Sequence, residues 1–289
     1  MFIDQLVNGL GQGAIYALMS IGYALIFGVV GLVTFTHGDI IMLGAFASYY
    51  CFAFLSQNLA LALLGGFAVS GLMGFVVHRI CYNRFFDSPR QISLICTIGM
   101  GMFLRNLVQL IAGTESKPIP NVLGRGAAEF FGIRFSYLQL FIFAVVLAMT
   151  LVLSLFLTRT RAGMALKAVS MDRTASALVG ISTRRATTIG NMIGCALAGV
   201  AGVLLAMYYG TITPTMGGTI GMKAFCCAVL GGMASIGGAA LGGLLIGIFE
   251  NLGIMVFGAG FRDIISFLFL IAVLLIRPEG LMGRERRGT

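Results

Sequence analysis

Residues 6–30, LVNGLGQGAIYALMSIGYALIFGVV, decide the class of fold because they form a long apolar run without a charged residue. A helix needs about 20 such residues to cross the hydrocarbon core of a bilayer. The run is too long for the apolar part of a secretory signal, and no Lys or Arg precedes Arg79. We therefore expect a retained first membrane span with the N-terminus outside.

The composition of the whole chain agrees with a membrane protein. Only 10% of the 289 residues are charged, 58% are hydrophobic, and the mean hydropathy is +0.99. A soluble domain has about 25% charged residues, so a soluble enzyme, a disordered chain and a secreted disulfide scaffold are excluded. We predict an all-α polytopic membrane protein in which residues 1–289 form one transmembrane domain.

The apolar runs predict eight or nine transmembrane helices. A further apolar piece, 220–234, is broken by Gly231-Gly232 and is either a short span or no span. The eight clear runs, each near the length that a bilayer requires, are about 6–30, 39–56, 59–79, 92–112, 137–158, 186–209, 238–257 and 262–277.

Basic residues cluster in three segments between or after these runs: 79–90, 159–185 and the C-terminal tail 278–289 with Arg277 before it. Lys and Arg are enriched in cytoplasmic loops, so all three segments are predicted to be cytoplasmic. An outside N-terminus and a cytoplasmic C-terminus require an odd number of crossings, which favours nine. The cytoplasmic location of these basic segments then accounts for most of the net charge of +9, and a nucleic-acid partner is not needed to explain it.

Motifs of catalysis and of ATP binding are missing from the sequence. It contains no G-x-x-x-x-G-K-[ST] phosphate loop, no H-E-x-x-H and no G-x-S-x-G. The six cysteines do not have metal-ligand spacing with either histidine, and they suit small buried apolar positions. We expect no catalytic residue, no metal site and no cofactor bound by this chain.

Two groups of polar residues, one between the first two apolar runs and one within a later run, are candidates for a solute pathway. His37, Gly38 and Asp39 form either a capping turn or a broken-helix element that faces the solute. Glu250 and Asn251 lie late in the run 238–257, where an ionisable residue is a functional candidate by default. An interhelical hydrogen bond is the alternative for the second pair.

Small residues recur at helical spacing in two of the runs. They fall at i, i+4 and i+8, which places each set on one helix face and favours close interhelical packing, with a narrow solute lining as the alternative. The two sets are Gly194, Ala198 and Gly202, and Ala239, Gly243 and Gly247.

Residues 161–181 are too polar to span a membrane, yet their Ala, Met, Leu and Lys content favours helix. Leu166, Val169 and Ala177 give a partly apolar face, and Gly180 is a typical C-terminal stop. The pattern predicts a short amphipathic cytoplasmic helix. It either rests on anionic lipid or docks a cytoplasmic partner.

Several of these segments, in this order, resemble the LivH-type permease subunits of branched-chain amino acid ABC importers. The turn Phe35-Thr36-His37-Gly38-Asp39 is similar to the family's Phe-Ala-His-Gly-Glu turn, with Asp39 in the place of Glu. The other matching blocks are Gly13–Leu18, Ile98-Gly99-Met100 with Asn106, Arg161 to Ile181, Gly221–Phe225, Ala228–Gly232, Ser235-Ile236, Gly238-Ala239, and Pro278 with Gly280.

The resemblance implies a permease of the bacterial inner membrane that works by alternating access. Its implied partners are a second homologous permease, two cytoplasmic ATPase subunits that use the ATP, a periplasmic solute-binding protein and membrane lipid. The expected solutes are branched-chain or related amino acids, with urea or short amides as alternatives in the same family. An ion-coupled secondary transporter is a further alternative, for which Glu250 would be the relay carboxylate.

The resemblance also implies that the segment about 159–185 contains the coupling helix that contacts the ATPase. The residues that carry this implied role are Arg161, Gly163, Ala165, Lys167, Ala168, Asp172, Arg173 and Gly180.

Overall fold

The computed structural model describes residues 2–55, 58–85, 89–124, 126–130, 133–277 and 279–283. Pro278 and residues 284–289 of the predicted tail lie outside the described residues. Eleven α-helices account for most of the described chain: α1 Phe2–Val30, α2 His37–Tyr50, α3 Leu59–Val77, α4 Arg90–Ala112, α5 Tyr137–Arg159, α6 Arg161–Met171, α7 Arg173–Leu178, α8 Thr183–Tyr209, α9 Met216–Gly231, α10 Ile236–Phe257 and α11 Arg262–Ile276.

Short irregular elements complete the described chain. π-Helical turns continue α2 and α3 at Cys51–Leu55 and His78–Tyr82, and a 3₁₀ turn precedes α11 at Ala259–Phe261. Four short strands form two antiparallel pairs: β1 Lys117–Pro118 with β4 Thr211–Ile212, and β2 Ala127–Phe130 with β3 Ile133–Ser136.

The fold confirms the predicted all-α polytopic class. Among the described residues, six helices are long and apolar enough to cross a membrane, namely α1, α3 with its π-helical extension, α4, α5, α8 and α10. The apolar helices α2, α9 and α11 are shorter, with 14, 16 and 15 residues. Nine crossings would need all three of them, so that number stays a prediction.

Helices α1 and α8 form the centre of the bundle. In their most apolar windows, 89% and 83% of the residues are buried, against 22% in α4 and 17% in α5. The first apolar run of the sequence is therefore also its most enclosed helix, and α4 and α5 present most of their surface outward.

Glycines allow the central helices to approach to backbone contact. A Cβ added at Gly243 or Gly247 would strike the backbone of α1, at Ala17 and Gly13 respectively. A Cβ at Gly194 would lie 2.7 Å from the carbonyl oxygen of Gly22. Close approach of this kind replaces the hydrophobic driving force that is missing between helices in lipid.

Of the three basic segments, 159–185 and the described part of 79–90 lie at one end of the bundle. Arg173 Nη2 donates to the carbonyl oxygen of Val29, the penultimate residue of α1, at 2.6 Å. His78 lies 3.2 Å from the hydroxyl of Thr187 near the start of α8. At the opposite end, Gln139 donates to Asn8 at 2.7 Å, and β1 pairs with β4.

Helix α2 begins inside the bundle. His37 Nε2 lies 3.2 Å from the carbonyl oxygen of Met19 in α1. Met19 lies about 16 Å along the helix before Val30, the last residue of α1, at a rise of about 1.5 Å per residue. The connection 31–36 therefore turns back into the bundle, and the His37-Gly38-Asp39 turn lies deep between helices.

The α1–α10 contact predicts a specific sensitivity to one methyl group. Gly247→Ala places a Cβ against the backbone of Gly13 and should lower the stability of the protein by about 1–3 kcal/mol. Gly237→Ala in the same helix is the matched control, because a Cβ there meets nothing within 4 Å. Thermal unfolding of both variants in detergent measures the difference, and equal Tm values would refute the proposed contact.

Candidate functional site

Within the described residues, two buried clusters contain a carboxylate, and α9 contacts both. The first, called the α10 cluster, surrounds Glu250. The second, called the α2 cluster, surrounds Asp39. Ionisable groups between membrane helices are costly unless they are paired, so each cluster is a candidate functional site.

The carboxylate of Glu250 is fully buried and has two cationic neighbours. Lys223 Nζ of α9 donates to Oε1 at 3.0 Å. Arg262 Nε of α11 lies 2.8 Å from the same oxygen, as an ion pair without the alignment of a hydrogen bond. Both cations come from other helices, so the charge of Glu250 joins α9, α10 and α11.

Neutral groups satisfy the remaining hydrogen-bonding capacity of Glu250. Ser266 Oγ donates to Oε2 at 3.0 Å, and Gln12 Nε2 donates to Oε1 at 3.1 Å. The Tyr16 hydroxyl also donates to Oε1, at 3.3 Å. A buried carboxylate is tolerated only when it is paired and hydrogen-bonded in this way.

The α10 cluster continues to the surface at the start of α11. Asp263 Oδ1 lies 2.8 Å from Lys223 Nζ, and the Asp263 side chain is half exposed. Arg262 Nη1 donates to the Tyr209 hydroxyl of α8 at 3.3 Å. Two cations and two carboxylates thus balance, and the Arg262-Asp263 pair that begins α11 takes part in the buried network.

In the α2 cluster, Arg105 of α4 holds Asp39 in the first turn of α2. Arg105 Nε and Nη2 both donate to Oδ1 at 3.1 Å, and Nη2 also reaches Oδ2 at 3.4 Å. The Asp39 side chain is 3% exposed, whereas that of Arg105 is 33% exposed. The pair therefore has a buried anion and a cation that reaches an outer face of the chain.

Glycines bring α9 against the start of α2. A Cβ added at Gly38 would strike the carbonyl oxygen of Gly217, and one added at Gly217 would lie 2.6 Å from Asp39 Oδ1. Thr36 Oγ1 donates to the carbonyl oxygen of Thr97 in α4 at 2.7 Å. The turn before α2 is thus fixed between α4 and α9.

His37 lies among polar side chains that lack some of their hydrogen-bond partners. Its Nε2 must carry the proton that it donates to Met19, which leaves Nδ1 as an acceptor without a partner among the described residues. Thr34 Oγ1 and Tyr82 Oη, in the residues around His37, are also unpartnered within the described chain.

The five predicted pathway residues therefore form two groups. His37, Gly38 and Asp39 lie together in the α2 cluster, and Glu250 and Asn251 lie in the α10 cluster, where Asn251 donates to Gln12 Oε1 at 2.8 Å. All five are buried.

The sequence interpretation missed the cationic partners that lie inside apolar runs, Arg105 and Lys223. Each is a charge inside an apolar run, 92–112 or 220–234, and this pattern could have identified both residues.

The segment predicted as one amphipathic helix is two helices, α6 and α7. Asp172 ends α6 in an extended conformation and caps α7, because its Oδ1 accepts from the backbone N–H of Thr174 at 2.8 Å and of Ala175 at 3.0 Å. Gly180, with φ +83°, follows the end of α7. The break at Asp172 explains the difference from the prediction.

Helix α6 turns one face toward the bundle and another outward. Gly163, Leu166 and Val169 are buried, and a Cβ at Gly163 would strike the carbonyl oxygen of Phe156 at the end of α5. Arg161, Lys167 and Asp172 are exposed, Ala165 and Ala168 are half-buried, and the large apolar side chains of Met164, Met171 and Leu178 are 51%, 77% and 85% exposed.

The fold and its buried charge pairs define a polytopic helical membrane protein with paired charges between its spans. Comparison with known proteins gives the family. The chain belongs to the permease components of branched-chain amino acid transport systems, whose family model matches residues 5–274. The resemblance found in the sequence is therefore confirmed.

Three relatives illustrate the range of similarity. The high-affinity branched-chain amino acid transport system permease protein BraD of Pseudomonas aeruginosa is 40% identical, over 98% of this chain and 96% of the relative. The corresponding LivH protein of Escherichia coli is 37% identical over the same shares. The LivM permease of Escherichia coli is 28% identical, over 94% of this chain and 68% of the relative. No solved structure matches the chain.

The α10 cluster predicts unequal effects of two similar substitutions. Glu250→Gln removes a fully buried anion that faces two cations, and breaking such a pair costs about 3–5 kcal/mol. Asp263→Asn removes a half-exposed carboxylate, for which a loss of about 0–1 kcal/mol is expected. Thermal unfolding in detergent compares the variants, and an equal loss in both would contradict the dominant role of Glu250.

Proposed function

We propose that the chain is the membrane-spanning permease subunit of an ABC importer that moves branched-chain amino acids into the cytoplasm. The observation that carries this proposal is the similarity, over nearly the full length, to permease proteins of branched-chain amino acid transport systems. The sequence has no phosphate-binding loop, so separate ATPase subunits supply the energy in this proposal.

The proposed orientation places the basic end of the bundle in the cytoplasm. Segments 79–85 and 159–185 lie at that end. Lys and Arg are retained on the cytoplasmic side during insertion. In this orientation the protein lies in the bacterial inner membrane with its N-terminus on the outer side. The β1–β4 and β2–β3 pairs then face a solute-binding protein.

Helices α6 and α7 are the proposed contact with the ATPase. Exposed Met164 and Met171 stand outside the membrane-spanning helices, where large apolar side chains suggest a covered surface. Lys167 adds a charge to this face. Because Gly163 packs on α5 and Arg173 binds the end of α1, a displacement of α6 and α7 would reach two spans directly.

The second permease in the proposed assembly is a homologue of this chain. The similarity to LivM, a second named permease of the same transport system, supports such a pair. The outward faces of α4 and α5, which are mostly unburied here, offer the surface for lipid and for this partner.

Ion-coupled transport is the less favoured mechanism. A relay carboxylate must release and accept protons or sodium during the cycle, whereas Glu250 is held by Lys223 and Arg262 and is completely buried. The paired state suits a structural carboxylate better than a carrier of ions. Urea or short amides remain alternative solutes within the same family.

Reconstitution distinguishes these mechanisms. The chain is assembled in liposomes with its second permease, ATPase subunits and binding protein, and uptake of labelled leucine is measured. We expect uptake that requires ATP and persists when ionophores collapse the proton and sodium gradients. Uptake driven by an ion gradient without ATP would refute the proposal, and uptake of urea but not leucine would refute the proposed solute.

The coupling surface predicts a separation of assembly in the membrane from ATP-driven transport. Met164→Glu places a charge on the outward face of α6 without touching its packing on α5, and it should reduce leucine uptake at least tenfold while leaving insertion unchanged. Met164→Leu keeps a large apolar side chain at the same exposed position and should leave uptake intact. Equal uptake by both variants would exclude α6 as the coupling contact.

A further inference from the structure

Arg105 is a cation on an outward face of a membrane span. It lies about 10 Å along the helix before Ala112, the last residue of α4. Its side chain is 33% exposed, and it is flanked on the exposed side by Met102 and Phe103, each 58% exposed. Charged side chains within membrane spans almost always face the bundle interior, another protein or a water-filled cavity.

Asp39 fixes the orientation of Arg105 without covering it. The Asp39 carboxylate accepts hydrogen bonds from Nε and Nη2 of Arg105. Within the described part of the chain, Nη1 stays available for a further acceptor. A guanidinium offers donors in a planar fork that suits a second carboxylate. The arrangement is therefore a rigid donor that keeps part of its capacity for a group from outside the chain.

The neighbouring turn of α9 leaves room for such a group. Gly218 has no side chain, and a Cβ added there would stand 3.5 Å from Arg105 Nη2 and 3.7 Å from Nη1. These are ordinary contact distances, so a larger side chain at 218 would cover the guanidinium without striking the backbone. Thr219 is exposed on α9, and Thr215 is exposed directly before the helix begins. Asn106 is exposed beside Arg105 on α4.

We propose that Arg105 and the α9 surface around Gly218 form a weak binding site for the carboxylate of an α-amino acid in the solute path. The inference rests on the proposed function and adds the chemical group that is recognised. Because Asp39 already neutralises Arg105, the site holds a carboxylate loosely, which suits a permease that must release its solute. A carboxylate of the second permease is the competing occupant.

The test compares two ligands that differ only in the carboxylate. The Tm of the purified transporter complex, without the binding protein, is measured with L-leucine and with L-leucinamide. Each ligand is added at a concentration well above the millimolar Kd of a weak site. A ligand that binds the folded state raises the Tm. We expect a rise with leucine and none with leucinamide.

Three variants locate the effect. Gly218→Leu covers the guanidinium but keeps the Asp39–Arg105 pair, and it should abolish the shift with leucine. Arg105→Gln should abolish it as well. Gly237→Leu is the matched control, because its side chain enters open space in the first turn of α10, and it should keep the full shift.

Several results would overturn the inference: no shift with leucine in the unmodified complex, an equal shift with leucinamide, or a full shift in Gly218→Leu. The Gly218→Leu complex could lose the second permease on size-exclusion chromatography and still show the rise in Tm with leucine. That result would assign the surface around Gly218 to the interface with the second permease instead. If ATP-driven leucine uptake occurs without this pattern, only the carboxylate site fails. If uptake itself is absent, the proposed function fails.

Discussion

A charge between membrane helices has no water to solvate it, and the packing around Glu250 follows from that constraint. Its carboxylate lies among Lys223 of α9, Arg262 of α11 and the hydrogen-bond donors of α1, which bring both charge and donors to one buried point. In a medium of low dielectric constant, an unpaired member of such a network is costly. The positions of four helices are thereby tied to one side chain.

Helix α9 carries this constraint to the second cluster. Its first turns pack against Gly38 and Asp39 through Gly217 and Gly221, and Lys223 follows after less than another turn. The start of α2 and the Glu250 network therefore both contact the first half of α9. A movement of α9 would therefore displace contacts of both clusters.

Apolar length predicted most helices well, because a bilayer sets the length of a span. The runs 137–158 and 186–209 became α5 Tyr137–Arg159 and α8 Thr183–Tyr209. The start of α2 deep in the bundle could not be predicted, since hydropathy gives length without depth. Nor could the partners of Asp39 and Glu250, which come from helices 66 and 27 residues away and depend on how those helices rotate.

The central claim is that the polar face near Arg105 belongs to the solute path. Cysteine accessibility tests it most directly, in the assembled transporter with its native cysteines replaced. Thr219→Cys, on the exposed face of α9, should react with a membrane-impermeant thiol reagent, and leucine should slow the reaction. Val152→Cys, 61% exposed on α5, should stay unreactive because it faces lipid or protein. An unreactive Thr219→Cys beside a reactive Val152→Cys would contradict the account.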